Sequence, residues 1–114
     1  MKENIDLETW VIETGDDIIH KEHKLGAASL SPVEKAIYDL WAVDYAVRNA
    51  GDMEALEELR PAAAIDLAAF LRSSGQSYLA MHMEQLADAG DECDSYYESF
   101  PKLCQALQSA LSGT

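Results

Sequence analysis

Three groups of residues have the types and spacing that could do chemistry. His20-Lys21-Glu22-His23 sets two imidazoles three residues apart on one helix face, with Asp16 and Asp17 one turn before them. Imidazole nitrogens and carboxylates are ligands for a divalent metal, so His20 and His23 are the candidate metal ligands, but a closed site needs a third group from elsewhere in the fold. The competing reading is a pair of solvated histidines which, with Lys21 and Lys24, favour the negative end of the helix dipole. Asp88-Ala89-Gly90-Asp91-Glu92-Cys93-Asp94 is acidic enough to suggest calcium. An EF-hand loop, however, places its glycine after the first carboxylates and a glutamate later, whereas Gly90 precedes most of these. The stretch reads instead as a helix stop followed by acidic residues near the next helix start, where the dipole favours them.

The third group is Asp44 with Arg48. At 100° per residue Asp44 falls about 20° from Val33, in the middle of an apolar helical face, with Arg48 one turn later at its edge. A carboxylate there needs a partner, because burying an unpaired charge is costly. An Asp44–Arg48 pair, or a bond from backbone at a neighbouring helix end, would supply it, and a functional cleft is the alternative. Tyr38, Trp41 and Tyr45 line up beside this face as an aromatic ridge, which reads as core sooner than as a ligand box. The chain contains no G-x-S-x-G, P-loop, G-x-G-x-x-G or H-E-x-x-H sequence. No catalytic residue is assigned, no cofactor is expected, and a non-enzymatic protein is favoured.

The elements that must position these residues are helical. Leu7, Trp10, Val11, Ile18 and Ile19 recur at helical spacing after Asp6, a candidate N-cap; Gly15 is a candidate interruption and Gly26 a stop. Ser31-Pro32-Val33-Glu34 is a capping box with proline at the first helical position. The helix it opens carries Val33, Ile37, Leu40 and Val47 on one face, flanked by Ala36, Trp41 and Val43, and leaves a polar or small arc at Lys35, Asp39, Ala42, Ala46 and Asn49. An apolar arc that wide predicts a central helix, ended by Gly51. Asp52 can cap a short helix from Met53 to Leu59, broken at Pro61. Ala62 to Arg72 predicts a buried helix closed by Ser73-Ser74-Gly75. Tyr78, Leu79, Met83 and Leu86 predict another ending at Gly90, and Leu103, Leu107 and Leu111 a last one entered through Ser99-Phe100-Pro101. No segment alternates with period two and none repeats. The expected fold is all-α, an irregular bundle of five or six helices in one acidic domain over residues 1–114.

Hydrophobic residues make up 48% of the 114 and charged ones 25%, the balance of a chain that folds alone. Twenty-one acidic against eight basic side chains give a formal charge of -13. That field repels nucleic acid and anionic membranes and attracts basic partners. The N-terminus lacks the basic and apolar regions of a signal peptide, and no apolar run is long enough to span a membrane. Cys93 and Cys104 lie outside any C-x-x-C pattern, so reduced thiols and a cytoplasmic setting are expected. The acidity is spread along the chain, with Glu13, Asp16, Asp17, Asp39, Glu54, Glu57, Glu58, Asp91, Glu92 and Asp94 as candidates for a water-facing interaction surface. Such a surface either solubilises the domain or docks a basic protein.

Leu30-Ser31-Pro32-Val33-Glu34-Lys35-Ala36-Ile37-Tyr38-Asp39-Leu40-Trp41, running into Asp44-Tyr45-Ala46-Val47-Arg48-Asn49-Ala50-Gly51, resembles the DNA-mimic-protein-like domain of unknown function, a family of small acidic helical bacterial proteins. The resemblance covers about a fifth of the chain. Where the family has an Asn-Gly-Gly turn followed by an aromatic and a Gln, this chain has Asn49-Ala50-Gly51-Asp52-Met53. It implies an all-α fold and, for a characterised member, surface carboxylates that imitate phosphates and bind a DNA-binding regulator. The expected function is therefore an interaction module whose partner is a basic protein, such as a nucleic-acid-binding protein or a toxin. The alternatives are a small metal-binding protein or enzyme using His20 and His23, and a structural oligomer subunit.

Overall fold

The computed structural model describes residues 2–50, 62–89 and 93–112. Among them are five α-helices and no strand: α1 (Lys2–Leu25), α2 (Pro32–Tyr45), α3 (Ala63–Ser73), α4 (Ser77–Ala89) and α5 (Cys93–Ser112). A 3-10 turn (Ala27–Ser29) follows α1, and a π-turn (Ala46–Ala50) extends α2. The fold is all-α. Its radius of gyration, 13.0 Å, is what close packing gives a chain of this length. The expected stop at Gly51, the cap at Asp52, the helix Met53–Leu59 with Glu54, Glu57 and Glu58, the break at Pro61, and Gly90, Asp91 and Glu92 lie outside the described residues.

Local chemistry sets several helix ends. Gly26 takes φ 89° and donates its N–H to the Glu22 carbonyl at 2.7 Å, the left-handed stop that only glycine adopts without strain. Ser31 Oγ accepts from the Glu34 N–H at 3.2 Å while Glu34 Oε1 accepts from the Ser31 N–H at 2.9 Å, so the capping box is complete. The Glu34 carboxyl is held below its usual range, first by that backbone bond and also by Lys21, against the opposing effect of burial. Gly75, at φ 82°, closes α3 in a Schellman turn: Gln76 N–H bonds the Leu71 carbonyl at 2.8 Å and Gly75 N–H bonds that of Arg72 at 3.2 Å.

α2 is the centre of the bundle, in contact with α1, α3 and α5, while α3 and α4 form a helical hairpin and α5 closes on α1 and α4. Val11, Ile18, Ile37, Leu40, Val43, Val47, Leu67, Leu71, Met83, Tyr96, Phe100, Leu103 and Leu107 are all buried in one continuous core.

Several sequence expectations fail, most of them where tertiary packing overrides a local signal. α1 begins at Lys2, which puts Asp6 inside the helix, and it runs unbroken through Gly15. Gly15 is there because the Trp41 indole crosses it: a Cβ at residue 15 would lie 2.5 Å from Trp41 Cδ1 and 2.8 Å from Cγ. α5 likewise runs through Pro101 and does not start beside it. An interior proline costs about 3 kcal/mol. Tyr96, Phe100, Leu103, Cys104 and Leu107 are all buried along that helix, and each large apolar side chain returns about 1.5–3 kcal/mol. Asp39, expected in the water-facing arc, is 2% exposed, and Ala42 and Ala46 beside it are buried, because small residues let α3 pack across that face of α2. The aromatic ridge lies at the opposite edge, with Tyr45 exposed. Tyr78 and Leu111 are exposed too, since Leu79, Ala80 and Met83 face the core in α4, and Leu103 and Leu107 in α5.

Candidate functional site

Three helices bring three polar side chains together around Asp44. On α2 its carboxylate is 4% exposed. Arg48, one turn on within the π-turn, donates from Nε to Asp44 Oδ1 at 2.8 Å, and Tyr96 of α5 donates its hydroxyl to the same oxygen at 2.5 Å. Glu8 of α1 approaches Arg48 Nε at 3.5 Å from the other side. The guanidinium also lies over the rings of Phe100 and Tyr97, 4.7 and 5.1 Å from their centroids, so it is held by charge and by π-faces together. π-helical turns are uncommon and usually a single turn long, and this one carries Arg48.

Electrostatics follow from burial. Removal from water pushes the Asp44 carboxyl above its usual range, a rise that the Tyr96 and Arg48 hydrogen bonds only partly oppose. Burial lowers Arg48, but Asp44 and Glu8 more than reverse it. The Tyr96 phenol is raised well above its ordinary value, by burial first and then by the Asp44 charge. The Cys104 thiol, free and fully buried, is pushed up to about 12 by the same two causes.

These shifts set an expected pH dependence. Phenol and thiol both titrate higher in the folded chain than in the unfolded one. The stability they contribute is therefore complete below about pH 8.5 and is lost as pH rises through the unfolded values toward the folded ones. Urea midpoints should fall steeply between about pH 9 and 11, and Tyr96→Phe should flatten that decline. In a Cys93→Ser background, a thiol reagent at pH 8 should label Cys104 only after unfolding; labelling of the folded chain at a free-thiol rate would contradict this placement.

The remaining candidates are distributed. Glu13, Asp16 and Asp17 are exposed along α1, as are His20 and His23. Among the described residues no group of three or more His, Cys, Asp or Glu could hold a metal, so His20 and His23 acquire no third ligand there. Asp39 belongs to the α2–α3 interface, where it lines a cleft of about 400 Å³ with Lys35, Ala36, Asp66 and Phe70, and so leaves the acidic surface set. Asp94 falls in the first turn of α5. Tyr38, Trp41 and Tyr45 form a ladder, edge-on at 6.0 Å and then stacked at 5.9 Å, with Tyr38 and Trp41 packed on the core. Sequence reasoning missed Tyr96, Glu8 and Gly15. The spacing of Tyr96, Phe100 and Leu103 carried a helical signal, which reading Pro101 as an entry point concealed.

Fold and site together define a small all-α protein of acidic composition whose best-formed polar feature is a buried Asp–Tyr–Arg cluster. No protein-family model, curated protein or solved structure matches the chain. Among the described residues no helix is long and apolar enough to cross a membrane.

Proposed function

We propose that this chain is a non-enzymatic, cytoplasmic interaction module whose acidic surface engages a basic protein, in the manner of a DNA mimic or of an immunity or inhibitor protein. The observation that carries this reading is the formal net charge of -13. Of eight basic side chains against twenty-one acidic ones, Lys21, Arg48 and Arg72 are already bound to Glu34, Asp44 and Glu84. Arg72 and Glu84 make a two-pronged pair at 2.7 and 2.8 Å. Glu13, Asp16, Asp17, Asp66 and Glu98 meanwhile face water. Lys24, Lys35 and Lys102 face water as well, so the excess lies in the composition, and a net field of one sign steers and orients an oppositely charged partner. The free Cys104 thiol suits a reducing compartment, and the resemblance of residues 30–51 to an acidic bacterial family agrees in kind.

The test is capture of a partner on the purified chain with elution by rising salt. Exposed charges are screened within about 10 Å at 0.1 M salt and about 3 Å at 1 M. A basic protein released in a salt-dependent step, and displaced by added DNA, is the expected result. A partner that stays bound through about 1 M salt, or no specific partner at all, sinks the reading.

A further inference from the structure

A cavity of about 220 Å³ opens between α1, α2 and α5, lined by Thr14, Asp17, Ile18, Lys21, Glu34, Ile37 and Leu111. Ile18 and Ile37 are 4% and 0% exposed and form an apolar floor. The rim is charged. Lys21 Nζ bonds both oxygens of Glu34, at 3.0 and 3.1 Å, so these two charges cancel. Asp17 makes no hydrogen bond or ion pair among the described residues and faces water, with Glu13 one turn before it on the same flank of α1. The rim therefore carries one uncompensated carboxylate over an apolar pit.

Small-molecule sites usually run from about 300 to 1,000 Å³, so this pit is undersized for a cofactor and suited to one long side chain. We infer that it receives an arginine of the basic partner, the aliphatic stem against Leu111 and the open edge of Ile18, above the buried Ile37, and the guanidinium on Asp17. Arginine suits both halves: its stem covers apolar surface, and its planar, weakly hydrated head grips a carboxylate with two parallel bonds. Charge complementarity selects this occupant over an apolar one, because an uncharged tip would leave Asp17 beside a newly dried wall with no partner. The inference rests on the acidic-surface reading above and gives that surface a specific anchor point.

The probe is a capped tri-arginine peptide, titrated at low salt into the full chain while methyl and amide resonances are followed. The expected shifts centre on Ile18, Ile37 and Leu111. Asp17→Asn should weaken binding about fivefold, the upper end for an exposed charge pair. Glu98→Gln, which removes the same charge from the exposed face of α5, should change it less than about twofold. Binding with shifts centred elsewhere, or equal weakening by both variants, overturns the arginine pocket while leaving the acidic-surface reading standing. Absence of binding at any face overturns both.

Discussion

Asp44→Ala should destabilise the fold by about 3 kcal/mol, lowering the melting temperature by about 12 °C. Breaking a buried ion pair usually costs about 3–5 kcal/mol, because the surviving partner is left uncompensated. The lower end applies here: Arg48 is a quarter exposed and still has Glu8 at 3.5 Å, so it is not stranded. The Tyr96 hydroxyl is. It is buried, its bond goes to Asp44, and losing that acceptor costs about 1–3 kcal/mol. Asp44→Asn retains an acceptor oxygen for Tyr96 and should cost less than half as much. A double-mutant cycle with Tyr96→Phe should return a coupling energy above about 0.5 kcal/mol. If Asp44→Ala fell within about 0.5 kcal/mol of the parent in urea melts, the cluster would not be what ties α5 to α2.

Gly15→Ala should cost about 2 kcal/mol even though alanine is the better helix former by about 1 kcal/mol. The added Cβ meets Cδ1, Cγ and Cβ of Trp41 at 2.5, 2.8 and 3.0 Å, which are atoms near the root of that side chain, so a rotamer change at its tip gives no relief. The helices must part or the indole must leave its place against Tyr38 and Tyr45. In a Trp41→Ala background Cγ and Cδ1 are gone and only the Cβ contact at 3.0 Å is left, so the same Gly15→Ala change should become close to neutral or stabilising. Measuring both in one thermal series decides the matter: an equal cost in the two backgrounds would show that the glycine is needed for some reason other than the indole.

What could be read from the sequence follows the range of the interaction involved. The Ser31 capping box and the glycine stops at Gly26 and Gly75 are set by neighbours within four or five residues, and their chemistry was legible in full. The burial of Asp44 was legible because its place on the helical wheel lies inside the apolar face. The burial of Asp39 was not, since it depends on α3 laying small residues across what is, for α2 alone, the polar side. Tyr96 could not be matched to Asp44, because nothing local links side chains 52 residues apart. Gly15 and Pro101 were misread for one shared reason. Each is a helix breaker by propensity, and each is retained inside a helix by packing, the first under an indole and the second within a row of buried side chains.

The pairing of α1 with α2 has a consequence for how the chain assembles. Lys21 meets Glu34, Gly15 meets Trp41, and Glu8 meets Arg48, three pins at successive levels of one antiparallel helix pair that turns back near Gly26. Each pin joins residues further apart along the chain than the one before, so the loop-closure entropy rises from the turn outward. The cheapest order of assembly is that of a zip drawn from Gly26 toward the N-terminal end of α1, with every closed pin shortening the loop that the next must close. A slip of one helical turn would break all three at once, leaving the hairpin a single register in which to fasten.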